Sequence, residues 1–312
     1  MEKIKISGVI GLTILQKNNK KIYIFFDDHS NINYCETGIF LPNFLETISV
    51  DINTLILLEE PFLERNKQLK ILWEDVHHIK LSRNYYDKSI KKCLKDRICL
   101  TIPIDIRLNL FIFSLDDVYN NIDNDEYFND ILISIDEYLK YIRFLFGEIE
   151  LDENKENHNK NIFFIKKIFD NYKKTYYYIQ LKNCENNFYN TFIKNKRNLS
   201  LKNFIRQNRN ITFEFCQGYP FINSNENIFL DQYDKLINAI MEFYTCIVTF
   251  IMNKDRTIIY TGFYHGTNLL YILKNIYNFN VIKEYGITEN IENHSNASNI
   301  SNCLLIDKSD FS

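Results

Sequence analysis

The segment Ile258-Ile259-Tyr260-Thr261-Gly262-Phe263-Tyr264-His265-Gly266 constrains this chain more than any other. Its β-branched and aromatic run reads as a buried strand. The run stops at Gly262, and Leu269-Leu270-Tyr271-Ile272-Leu273 resumes at helical spacing. His265 therefore falls where a strand hands over to a helix. In open α/β sheets, ligands bind just outside the carboxyl ends of strands. A second segment has the same form: Lys21-Ile22-Tyr23-Ile24-Phe25-Phe26 runs into Asp27-Asp28-His29-Ser30. Two parallel strands of one sheet would bring both histidines to the same rim.

Two more strands end in charge. Thr54-Leu55-Ile56-Leu57-Leu58 leads into Glu59-Glu60-Pro61, and Pro61 forbids helical continuation at Glu60. Residues 97–107 form a fourth strand ending in Asp105-Ile106-Arg107, where Pro103 signals an edge or a bulge. Leu41 to Glu46 looks like a helix start, so residues 21–60 read as a βαβ unit. Helical spacing is strongest over 124–146 and 227–252, and further helices are expected at 162–183, 185–194 and 200–208. A last strand is expected at 281–285. The expectation is an α/β fold, a mostly parallel sheet flanked by helices. It forms a single domain over 1–287 with a largely helical insertion at about 120–250. Residues 288–312 are mostly Asn, Ser and Glu and read as a flexible tail.

Composition excludes several function classes. The net charge of -3 offers no global basic field for nucleic acid or an anionic membrane. The basic stretch from Lys194 to Arg209 reads as a solvated helix face. The seven cysteines show no C-x-x-C spacing and read as reduced thiols of an intracellular, cytoplasmic protein, with Cys35 as a buried thiol. Ile6 to Leu15 is apolar behind Lys3 and Lys5, but no small-residue cleavage site follows. Two strands around an Asn18-Asn19 turn, a β-hairpin, explain it better. The apolar run Ala239 to Met252 is too short to span a bilayer, so the chain reads as soluble.

Four strand ends thus present Asp27-Asp28-His29, Glu59-Glu60, Asp105 with Arg107, and His265. Each is a weak signal alone. A lone strand-end histidine is more often a satisfied structural residue than a ligand, and surface Glu pairs are common. Together they describe an α/β active site. Two imidazoles with one or two carboxylates make a first shell for a divalent transition metal, which lowers the pKa of a bound water. His29 and His265 are the candidate metal ligands. Asp27 and Glu60 are candidates for ligand or general base, Asp105 is a further catalytic carboxylate, and Arg107 holds a substrate carboxylate or an oxyanion. His77 and His78 are adjacent on a helix, about 100° apart, and cannot easily share a metal.

These motifs resemble the Tiki/TraB superfamily. That group includes metal-dependent proteases, haem-uptake proteins of the ChaN type and erythromycin-esterase-like enzymes. The arrangement is most similar to a set of large-DNA-virus proteins. In them a strand ends in G-D-x-H-S, a later one in Glu, another in D-x-R and a last one in G-x-x-H. The matching positions are Asp27, His29 and Ser30; Glu59 or Glu60; Asp105 and Arg107; and Gly262 and His265. Asp231 matches a further acidic position. The resemblance implies a metal-dependent hydrolase of peptide or ester bonds. Phe26 stands where the first motif has glycine, and a side chain there is expected to crowd the site. A degenerate relative that binds a ligand or protein partner is therefore the alternative, and haem or metal binding without hydrolysis is a third. No membrane or nucleic-acid partner is expected.

Overall fold

The computed structural model describes residues 2–27, 37–41, 44–45, 53–59, 101–110, 133–154, 160–208, 229–288 and 303–311. Its strands are β1 (Lys3–Ser7), β2 (Gly11–Lys17), β3 (Lys20–Asp27), β4 (Ile39–Phe40), β5 (Thr54–Leu58), β6 (Thr101–Pro103), β7 (Arg256–Gly262), β8 (Asn280–Gly286) and β9 (Cys303–Asp307). The helices are α1 (Arg107–Leu110), α2 (Ile135–Tyr138), α3 (Lys140–Leu145), α4 (Lys160–Tyr172), α5 (Tyr176–Phe188), α6 (Leu201–Asn208), α7 (Phe229–Met252) and α8 (Phe263–Asn275). A π turn, Tyr189–Ile193, continues α5, and a 3-10 turn, Lys308–Phe311, follows β9. Two compact units result: Met1–Asp105 with Thr245–Ser312, and Ile106–Tyr244.

The first unit is built on a mixed, mostly parallel sheet of six strands in the order β6-β5-β7-β3-β2-β8. β6, β5, β7 and β3 run parallel, while β2 pairs antiparallel with both β3 and β8. Helices flank it, as an α/β fold requires. β3 and β5 are consecutive strands of the expected βαβ unit, yet they are not neighbours. β7 lies between them, with Ile259 opposite both Ile24 and Leu57. Its uninterrupted burial follows from that central place. Among the described strands β6 takes the edge, where Pro103 removes no needed ladder donor.

The hairpin turns at Asn18-Asn19, where Asn18 adopts φ 54, a left-handed conformation that asparagine tolerates. The apolar run before it is two strands rather than one. Gly8, at φ 93, lets the chain leave β1 and enter β2 in a different sheet. β1 pairs parallel with β4 and antiparallel with β9, from Lys3 opposite Asp307 to Ser7 opposite Cys303.

The C-terminal residues correct the expectation of a flexible tail. Ile6, Leu304, Ile306 and Phe311 share one core cluster with Tyr23, Phe25, Ile258 and Tyr260. Phe311 stacks on Tyr23 at 4.8 Å between ring centroids and meets Phe44 edge-on at 5.1 Å. The Tyr23 hydroxyl donates to the Asp310 carbonyl at 2.7 Å. Lys283 on β8 donates to Asp307 at 2.8 Å and to Asp310 at 3.0 Å. The alternation Leu304-in, Leu305-out, Ile306-in is the strand signature that the Asn/Ser-rich residues before it obscure. Cys303 is disulfide-bonded, so the expectation of reduced thiols fails there, while Cys184 and Cys246 are buried thiols.

Alternation along β3 and β7 sends Ile22, Ile24 and Phe26, with Thr257, Ile259 and Thr261, to the other face, which α8 covers. Leu269, Leu270, Ile272 and Leu273 bury the inner side of α8. From Thr245 onward α7 belongs to this unit, and Phe250 packs on Tyr277 and Phe279. Gln232–Met252 has the length and hydropathy of a membrane span, but 78% of its apolar window is buried inside the protein, as in the core helix of a soluble protein.

In the second unit, the break between the helices expected at 162–183 and 185–194 falls earlier, between α4 and α5, and α5 runs through residue 184. The chain breaks at Lys173-Lys174-Thr175, and the Thr175 side chain caps α5 by accepting from the Tyr178 N–H. An aromatic cluster of Phe146, Phe169, Tyr177, Tyr178 and Phe243 forms its core.

Candidate functional site

Because β3, β5, β6 and β7 are parallel, their carboxyl ends lie along one rim. Three carboxylates and one imidazole sit there, all buried. Asp27 closes β3 at 2% exposure, Glu59 follows β5 at 2%, Asp105 follows β6 at 3%, and His265 lies in the first turn of α8 at 7%. Register sets their neighbourhood: Asp27 is opposite Gly262 on β7, and Leu58 is opposite Pro103 on β6.

Glu59 and His265 are the pair that the structure brings into contact. Glu59 Oε1 lies 3.6 Å from His265 Nε2. The other oxygen, Oε2, accepts from the Thr261 hydroxyl at 2.5 Å and from the Gly262 backbone N–H at 2.8 Å. Gly262 is the residue that starts α8, and it has no side-chain cap of its own. Glu59 thus caps the helix from a neighbouring strand, where a carboxylate is favoured by the exposed N–H groups. The carboxylate is fixed by two donors, and its remaining oxygen faces the imidazole. The Tyr264 ring stands edge-on to that imidazole at 5.9 Å.

Of the residues expected at the site, Asp27, Asp105 and His265 are on this rim. Glu59 is there as well, while Glu60, like His29, Asp28, Ser30, His77 and His78, lies outside the described residues. Arg107 opens α1 in the helical unit, where it donates to Asn238 at 3.3 Å. The Asp231 side chain is likewise outside the described residues. Among the described residues, no three His, Cys, Asp or Glu side chains are grouped so as to hold a metal ion. Glu59 and His265 supply two donors of the types such an ion takes.

Phe26 does not project freely at the rim. It is fully buried beneath the first turns of α8, 5.7 Å from the Phe263 ring and against Gly266. Sequence reasoning missed Thr261, whose hydroxyl sits inside a buried strand. A threonine two residues before the Phe263-Tyr264-His265 run is its trace in the sequence. Comparison with protein-family models, with curated proteins and with solved structures finds no match to this chain.

Proposed function

We propose that the carboxyl rim of the six-stranded sheet is the reacting centre of a hydrolase acting on peptide or ester bonds. The observation that carries this reading is the buried Glu59–His265 pair, its carboxylate already held by Thr261 and Gly262. Glu59 orients the imidazole. His265 then takes a proton from an attacking water and returns it to the leaving group. Asp27 and Asp105 lie along the same edge as further hydrogen-bonding groups for substrate or water. In a metal-dependent form, His265 and Glu59 would be donors to a divalent transition metal, with His29 as the further ligand expected from the sequence. Such an ion, when bound, supplies Lewis acidity at the substrate carbonyl.

The test is hydrolysis of a p-nitrophenyl ester and of a mixed peptide substrate by protein purified without a His tag. Metal content is measured on the same samples, for wild type, His265→Ala and Glu59→Gln. The reading expects turnover in wild type and a loss of about 100-fold or more in both variants. Wild-type protein that turns over neither substrate, or variants that match it, would sink the proposal.

A second reading is a non-catalytic relative that binds a ligand or protein partner. Phe26 favours it, because the ring fills space under the turn that carries His265. In that case the Glu59–His265 pair serves only to cap and anchor α8.

A further inference from the structure

One face of α5 carries Tyr178, Lys182 and Glu185, and Tyr189 extends the stripe into the π turn. This stripe meets Arg143 on α3. The Arg143 guanidinium lies 4.0 Å from the centre of the Tyr189 ring, and its Nη1 donates to Asp136 at 2.9 Å. The Tyr189 hydroxyl donates to the same Asp136 oxygen at 2.9 Å. Lys182 bonds the Phe146 carbonyl at 3.1 Å and pairs with Glu148 at 3.0 Å, tying α5 to the end of α3.

Glu185 stands between these groups, one helical turn before Tyr189, at 2% exposure. Its Oε2 has no hydrogen-bond partner among the described residues, and neither does Nε of Arg143, also buried. An acceptor and a donor of opposite charge type are thus both unsatisfied in one locality. Burying such groups unpaired is costly, and the usual resolution is a bridging water or a change of state. Burial first, and Glu148 second, push the Glu185 carboxyl up to about 7, against the pull of Arg143 and Lys182. On Tyr178, burial, then Asp170, Glu148 and Glu185, push the phenol up to about 12. Tyr178 and Lys182 also line a cavity of about 400 Å³ together with Lys166, Asp170 and Lys173, which brings solvent close to the stripe.

We propose that Glu185 and Arg143 form a proton-gated latch within the helical unit. With Glu185 protonated, Arg143 rests on Tyr189 and Asp136, and Lys182 holds Glu148 and the Phe146 carbonyl. Once Glu185 loses its proton, its carboxylate draws in Arg143 Nε and competes with Glu148 for Lys182. The end of α3 and the π turn then shift together. A π turn at that position fits a segment built to change its hydrogen bonding.

The experiment is a pH titration of the full chain from 5.5 to 8.5. Amide hydrogen exchange is followed over α3 and the π turn, with the Glu185 carboxyl carbon resonance on the same samples. A single transition near neutral pH, shared by both readouts, is expected in wild type. Glu185→Gln should abolish the exchange transition. Glu148→Gln, on the more exposed side, should move the midpoint to lower pH while leaving the fold intact. A wild type without the transition, a transition that survives in Glu185→Gln, or a midpoint unmoved in Glu148→Gln would each overturn the latch.

Discussion

The ring of Phe26 fills the place that a side chain on Gly266 would take. A methyl group at Gly266 would lie 2.6 Å from Cδ1 and 2.8 Å from Cε1 of Phe26, with Thr261 Cγ2 at 3.3 Å. The glycine one residue after His265 and the phenylalanine at the end of β3 are therefore a matched pair. Together they let the first turns of α8 settle close onto the sheet.

Gly266→Ala should destabilise the protein. Alanine gains about 1 kcal/mol of helix propensity over glycine. The clash with a fully buried ring costs more, about 1–3 kcal/mol. A net loss is expected in chemical denaturation, and Phe26→Leu should recover part of it. Additive effects of the two changes would show that the rings can yield independently.

His265→Ala and Glu59→Ala should differ in stability. Without His265, Glu59 keeps both donors, Thr261 and Gly262, so the loss should stay under about 1 kcal/mol. Without Glu59, a buried hydroxyl and the N–H that starts α8 lose their acceptor, at about 2–3 kcal/mol. Equal midpoints in urea would remove the capping role.

Phe311→Ala should lower the thermal midpoint. Truncating a buried aromatic ring costs about 3 kcal/mol, or roughly 6 to 12 °C for a unit of this size. Deleting the chain after Thr288 removes β9 as well and should lower the midpoint further. A truncated protein that melts with wild type would detach β9 from the core.

Stability should fall as pH rises from about 4.5 to about 7. Glu185 is raised from 4.5 to about 7 in the folded state, by burial and then by Glu148. The unfolded chain therefore loses this proton first, and between those values ionisation favours unfolding. Below about pH 4.5 the contribution is fully present, and above about 7 it is gone. The difference is on the order of 3 kcal/mol. Glu185→Gln should flatten that part of the pH–stability curve. An unchanged slope would mean that other groups set it.

The strands were legible in the sequence because their apolar runs are short and end at polar or turn residues. Their order was not. Nothing between Asp27 and Thr54 announces that a strand starting at Arg256 will separate β3 from β5. The rim carboxylates were legible as strand-end charges. Glu59 reads together with Glu60 as one strand-end pair, and Glu59 is the member of the pair among the described residues. β9 was lost behind an Asn- and Ser-rich approach. The Glu185 stripe has a sequence signal of its own: Tyr178, Lys182, Glu185 and Tyr189 recur at helical spacing.

The position of β7 has a consequence for how the protein is made. β3 and β5 leave the ribosome early, each with an edge that β7 closes in the finished fold. Synthesis must pass Arg256 before that gap fills. Until then every nascent chain carries two unpaired, apolar strand edges, open to pairing with a neighbouring chain on the same message. Translation speed between Leu58 and Arg256, and any chaperone that covers those edges meanwhile, should govern the yield of this protein more than the stability of its finished fold.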